Sequence, residues 1–154
     1  MGIPTCHDGS QLKLDRIKHE LHNQEVYDIS MGNPHTVIFV PKITDELVLK
    51  LGPIIEKDPY YKDRTNVEFV SINSENEITM RVWERGSGET MACGTGSCAS
   101  AVATMLLNNK KGTITVHLLG GDLKITWLEN NHIIMEGPAT KVFDGEFNIE
   151  DITN

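Results

Sequence analysis

Hydrophobic and polar positions follow strand-like patterns from residue 26 onward. Residues 26–29, Val-Tyr-Asp-Ile, form a short β-prone run. Residues 36–40, Thr-Val-Ile-Phe-Val, are nearly all apolar, which predicts a strand buried on both faces. Pro41 ends it. Thr44 is placed to cap a helix whose first turn holds Asp45 and Glu46, the favoured sign at that end. This helix runs through Leu47, Val48 and Leu51. Gly52-Pro53 should stop it, the alternative being a kink that Ile54-Ile55 continues. Residues 66–72 and 77–83 predict two strands joined by the Asn73-Ser74-Glu75-Asn76 turn. Further strands are predicted at 113–118, 123–128 and 132–136, with a last short candidate at 140–143. Residues 5–24 are polar and mixed and give no firm element.

Between the two sets of strands lies one strong helix, residues 96–108. It is built of Ser, Cys, Ala, Val, Thr, Met and Leu and carries no charge before Lys110. A helix that is apolar or small on every side is expected to be surrounded by protein. The expected fold is therefore α+β, a β-rich domain wrapped around one central buried helix.

The chain has 154 residues, about one domain's worth, and 39% of them are apolar, enough for a single core. No repeat or low-complexity segment interrupts it. The net charge of −8 is spread along the chain, which disfavours binding to a phosphate backbone. The most basic stretch is only Lys110-Lys111. No apolar run approaches the roughly 18–20 residues a membrane span needs. The first residues lack the basic and apolar regions of a secretory signal. The three cysteines are an odd number without an export signal, so reduced thiols in a cytoplasmic protein are expected.

The chemistry concentrates in residues 84–99, Glu-Arg-Gly-Ser-Gly-Glu-Thr-Met-Ala-Cys-Gly-Thr-Gly-Ser-Cys-Ala, between a strand and the buried helix. Gly86, Gly88, Gly94 and Gly96 allow tight turns and close backbone approach to a ligand. Unpaired N–H groups at a helix start, at the positive end of its dipole, make an anion site. Cys93 stands at that point, and the same field predicts a thiol pKa below the ordinary value of about 8.5. The plainer alternative is a glycine-rich turn with no ligand. The spacing does not fit a phosphate-binding loop, since no lysine follows Gly94. Cys93 and Cys98 do not have the spacing of a metal or redox pair, and no metal is expected. Cys98 falls within the apolar helix and reads as packing. Cys6 reads as incidental. Two further segments are Met31-Gly32-Asn33-Pro34-His35, where Asn-Pro marks a turn and the histidine reads by composition as a surface residue, and Arg64-Thr65-Asn66 at a strand start.

Gly-Asn-Pro-His before an apolar strand, then Thr-Asn-Val-Glu-Phe-Val, then residues 84–99, then the Gly-Gly and Glu-Gly-Pro-Ala strands, occur here in that order. Over residues 31–145 this resembles the C-terminal half of the diaminopimelate epimerases, racemases that use two cysteines and no pyridoxal phosphate. The resemblance implies a curved mixed sheet around a central helix, one of two similar lobes with the site in the cleft between them. It implies no cofactor, and diaminopimelate as substrate, interconverted between its LL and meso forms on the route to lysine and cell-wall peptide. It implies that Cys93 is the second-lobe catalytic cysteine, with His35 and Glu84 supporting the proton transfer. Asn33, Asn66, Glu84, Arg85, Gly94 and Thr95 match the substrate-binding positions. Glu84-Arg85 resembles the pair at the distal amino-acid end, and Gly94 and Thr95 the donors to the reacting α-carboxylate.

The first-lobe signature of the family, Met-Cys-Gly-Asn-Gly-x-Arg-Cys, has no counterpart in this sequence. Residues 1–142 are then expected to form the second lobe and 143–154 a tail returning toward the first. The expected partner is a polypeptide carrying that first lobe, and the chain by itself is expected to be inactive. An uncovered inter-lobe face could self-associate. The alternatives are a non-catalytic binding fragment, or a lobe of a related proline or hydroxyproline racemase.

Overall fold

The computed structural model describes residues 1–7 and 24–148. The strands among them are β1 (Thr5–His7), β2 (Val26–Ser30), β3 (Pro34–Phe39), β4 (Asn66–Ser74), β5 (Glu77–Glu84), β6 (Gly88–Glu89), β7 (Thr113–Leu118), β8 (Gly121–Trp127) and β9 (Ile133–Glu136). A π-helical segment, Glu46–Leu51, passes directly into α1 (Gly52–Glu56), and α2 spans Gly94–Leu107. The strands make one sheet in the order β1-β2-β3-β4-β5-β7-β8-β9, with β6 added to β5. Two neighbour pairs are parallel, β3 with β4 and β5 with β7. Parallel neighbours need a crossover. The π-helical segment and α1 lie in the first crossover, and α2 lies in the second.

The two crossovers take opposite faces of the sheet. Side chains alternate between faces along a strand. On β3 and β4, Ile38, Val67 and Phe69 pack with Val48, Leu51 and Ile55 on the outer face. Val37, Phe39 and Val70 point the other way, into the cluster built around α2. The sheet curls around α2, which touches β2, β3, β4, β5, β7, β8 and β9. Every residue from Gly96 to Met105 is buried. The small residues Ala99, Ala101 and Ala103 let the strands approach, Ser100 Oγ donates to Met80 Sδ on β5 at 3.0 Å, and two other hydroxyls find partners in the preceding turn. Ser97 Oγ donates to the Cys93 carbonyl at 2.8 Å, and Thr104 Oγ1 to the Ser100 carbonyl at 2.8 Å. The α+β class with one central buried helix is thus the observed architecture.

Two expectations need correction, the first in favour of the alternative that Ile54-Ile55 continue the helix, and one unassigned stretch gains a strand. The segment after Thr44 does not stop at Gly52-Pro53. Pro53 falls in the first turn of α1, where its missing N–H costs little, so the chain stays helical. Thr44 Oγ1 does accept from Leu47 N at 3.3 Å. Residues 140–143 pair with no strand among the described residues. Residues 5–7, which gave no sequence signal, pair with β2 as the sheet's first strand. The remainder of the unassigned N-terminal stretch, residues 8–23, lies outside the described residues.

Candidate active site

Cys93 has an extended backbone and caps α2 through its own side chain, with Gly96 N donating to Sγ at 3.4 Å. Gly94 and Thr95 occupy the first two helical positions, whose N–H groups have no partner within a helix. The sulfur, these two first-turn amides and the positive end of the helix dipole therefore share one place.

Strand alternation brings the other polar residues to the same end of α2. His35 precedes Val37 and Phe39 on the inner face of β3. Asn66 and Glu68 precede Val70 on the inner face of β4. Glu84 follows Ile78, Met80 and Val82 on the inner face of β5. The parallel register places His35 beside Asn66.

A chain of hydrogen bonds links these residues to the cysteine. His35 Nδ1 lies 2.7 Å from Glu68 Oε1, and both side chains are fully buried. His35 Nε2 lies 3.1 Å from Asn33 Oδ1. Asn33 Nδ2 donates to Thr95 Oγ1 at 3.3 Å. Thr95 Oγ1 lies 3.6 Å from Cys93 Sγ. His35 is 1% exposed, so it is not the surface histidine its loop composition suggests. Its position on the inner face of β3, hydrogen-bonded to the buried Glu68 of β4, is what takes it out of solvent.

Cys93 also departs from expectation. Burial pushes its thiol above the ordinary cysteine value. The bonds from Gly96 and Thr95 pull it down, while negative charge on the Glu68 or Glu84 carboxyl would push it up. The expected lowering neglected this burial, since Cys93 is only 7% exposed. Cys98 is fully buried within α2, where desolvation pushes its thiol to about 11, as suits a packing residue.

The loop after β5 is held from below. Gly86 and Gly88 adopt φ of 78° and 82°, which L side chains rarely do, and reverse the chain between β5 and β6. Glu56, at the end of α1 and 3% exposed, accepts from Gly86 N at 2.9 Å and from Trp83 Nε1 at 3.1 Å. Asn66 accepts from Arg85 N at 2.9 Å and donates to the Pro34 carbonyl at 2.9 Å, so it joins two of the predicted segments. Arg85 Nη1 donates to the Asp63 carbonyl at 2.9 Å, and the Glu84 carboxylate accepts from the Thr90 hydroxyl. A cleft of about 820 Å³, lined among others by Asn33, His35, Tyr61, Arg64 and Arg85, opens beside this group.

All eight predicted site residues thus lie around one end of α2. Glu56 and Glu68 were not singled out from the sequence. The available signal was a carboxylate in the middle of the apolar run Val67-Glu68-Phe69-Val70. Among the described residues no group of three or more His, Cys, Asp or Glu side chains is placed to hold a metal ion. No described helix is long and apolar enough to cross a membrane.

A curled sheet around a buried helix is also the fold of a PhzC/PhzF-type protein from Clostridium difficile (strain 630). That structure superposes with a TM-score of 0.55 at 20% identity, covering 70% of this chain and 41% of that one. The likeness is one of fold alone. The diaminopimelate epimerase family model matches residues 27–142, and the chain belongs to that family. It is 51% identical over 149 residues to the diaminopimelate epimerase of Moorella thermoacetica, covering 96% of this chain and 53% of that protein. It is 46% identical over 143 residues to that of Desulfitobacterium hafniense, covering 93% and 50%. The chain therefore spans about half the length of the curated relatives it matches.

Proposed function

We propose that this chain is the second-lobe half of a diaminopimelate epimerase, converting LL- to meso-2,6-diaminopimelate for lysine and peptidoglycan precursor synthesis in the cytoplasm. Cys93 is one of two proton-transferring thiols, and the other belongs to a first lobe that these 154 residues do not include. The observation that carries this reading is Cys93 capping α2 beside the first-turn amides of Gly94 and Thr95.

The chemistry follows from that arrangement. An amino-acid α-proton is very weakly acidic. Its removal leaves charge that spreads onto the α-carboxylate. Fixed amide donors at a helix start stabilise that charge without reorganising. A positioned thiol exchanging the proton contributes about 10²–10⁴-fold. Burial favours the neutral thiol at rest, so Cys93 begins as the proton donor on its face of the α-carbon. In the reverse direction its thiolate takes the proton back. His35 and Glu84 support that exchange. Asn33, Asn66, Glu84 and Arg85 bind the amino-acid groups of the substrate, with Glu84-Arg85 at the distal end.

Residues 1–142 form the lobe, and the tail from 143 returns to the first lobe. Val142, Phe143 and Phe147 are 88%, 80% and 76% exposed, apolar side chains that suit a covering partner. Mixing the chain with a first-lobe polypeptide from the Moorella thermoacetica relative tests the proposal. LL-to-meso conversion that needs both polypeptides supports it. No conversion from a mixture that demonstrably associates contradicts it.

A further inference from the structure

The hydrogen-bond chain that ends at Cys93 begins at a residue with no assigned role. Glu68 sits mid-strand in β4 and is fully buried. Its Oε1 bonds His35 Nδ1 at 2.7 Å, and its Oε2 is buried with no hydrogen-bond partner among the described residues. A Cβ on Gly96 would lie 2.7 Å from Glu68 Oε1 and 3.2 Å from Cys93 Sγ. The bare edge of α2 at Gly96 is thus what lets the carboxyl approach the cysteine.

The two ends of this chain fix the direction of its bonds. An amide oxygen only accepts, so Asn33 Oδ1 requires a proton on His35 Nε2. Asn33 then presents its NH₂ to Thr95 Oγ1, which accepts. The Thr95 hydroxyl hydrogen is left to point at Cys93 Sγ. At the other end, a neutral glutamic acid donates from Oε1 to a bare His35 Nδ1. A buried carboxylate with one oxygen unsatisfied would be costly, and a neutral acid avoids that cost. Burial indeed pushes Glu68 above the ordinary carboxylate range, against the pull of His35, and Glu84 adds to the rise. The ionisable groups facing Glu68 are His35 from β3, Glu84 from β5 and Cys93 at the start of α2.

We infer that Glu68 is a positioning residue for Cys93. As a neutral acid it fixes His35 in the Nε2–H form, and through Asn33 and Thr95 it aims one hydroxyl donor at the sulfur. All four bonds then run toward Cys93, a direction that favours the thiolate whenever it forms. No proton has to leave the chain for this to operate, since each bond keeps its own hydrogen. The inference rests on the proposed function only for its purpose. Its test is read on the thiol and the imidazole, without substrate, so it can fail while the epimerase reading stands.

The test uses the full 154-residue chain. Nitrogen-15 NMR of the parent at pH 7.5 should find the His35 proton on Nε2 and a bare Nδ1. A proton on Nδ1, with or without one on Nε2, overturns the proposal. Glu68→Gln keeps a donor, its amide, against Nδ1. It should keep the same tautomer and a Cys93 alkylation profile against pH within about twofold of the parent. Glu68→Leu removes the donor and should slow Cys93 alkylation at pH 7.5 by about three- to tenfold, the effect of roughly one hydrogen bond. If both variants alkylate faster than the parent, Glu68 acts only as a negative charge and the proposal fails. If the leucine variant does not fold, the parent tautomer and the glutamine profile decide the question.

Discussion

Asn33 and Thr95 are 62 positions apart in sequence and joined by a 3.3 Å hydrogen bond. That bond ties the turn between β2 and β3 to the first turn of α2, and it hands the Thr95 hydroxyl to Cys93. Thr95 pulls the Cys93 thiol down against the effect of burial. Thr95→Val keeps the shape and removes the hydroxyl. The expected outcome is a Cys93 alkylation profile moved to higher pH, measured by mass spectrometry of the modified peptide. A profile unchanged or moved to lower pH would show that the hydroxyl does not act on the sulfur.

Gly96 is the close approach between α2 and β4. Gly96→Ala gains helix propensity of up to about 1 kcal/mol. It also drives a methyl group to 2.7 Å from Glu68 Oε1 and 3.2 Å from Cys93 Sγ. Overpacking of that kind costs about 1–3 kcal/mol. The net expectation is a lower denaturation midpoint with an unchanged slope, read from urea unfolding. An increased midpoint would mean that the carboxyl moves aside without cost.

Glu56 holds the Glu84–Gly88 loop. Desolvation works to raise its carboxyl, but the bonds from Trp83 and Gly86, with Arg64 and Lys57 nearby, hold it below the ordinary carboxylate value. A lowered carboxyl binds fewer protons when folded than when unfolded. Its stabilisation is therefore present above the ordinary value of about 4.3 and fades as pH falls through the lower, folded value. Glu56→Gln should be less stable than the parent at pH 7, with the gap narrowing below about pH 4. A gap that widens in acid would have the wrong sign. Glu56→Ala leaves Trp83 Nε1 and Gly86 N without an acceptor and should cost about 1–3 kcal/mol.

The three thiols should react in a fixed order. Cys6 is exposed, Cys93 is nearly buried, and Cys98 is fully buried and raised to about 11. Iodoacetamide at pH 7.5 should label Cys6 first, Cys93 slowly, and Cys98 only after unfolding. Cys93 labelling should climb through the alkaline range above about 8.5. A midpoint below that would restore the helix-terminus field as the dominant influence.

Much of the fold could be read directly. Residues 113–118 coincide with β7, and the uncharged run after Gly96 is the central helix. Both patterns are local, and burial follows from them. The outer helical segment is harder to read, because a π-helical stretch running into α1 through Gly52-Pro53 departs from the α-helical period. The site was legible as segments but not as contacts. Cys93, Asn33 and Asn66 stand in recognisable motifs, while the surroundings of His35 depend on a parallel register that no local signal specifies. Glu68 is the clearest omission, a carboxylate within an apolar strand whose partner lies 33 positions away. The Cys93 thiol lies above its expected value because the helix field is visible in sequence and the desolvation is not.

The central claim is that this chain carries one of two proton-transferring thiols and half of a cleft. The most direct measurement incubates LL-diaminopimelate with the purified 154-residue chain in D₂O and follows meso product and deuterium at the α-carbon. The account predicts neither from the chain alone. It predicts both once a first-lobe polypeptide is added, and their loss again with Cys93→Ala. Steady-state epimerisation by the chain alone, or turnover that survives Cys93→Ala, would contradict it.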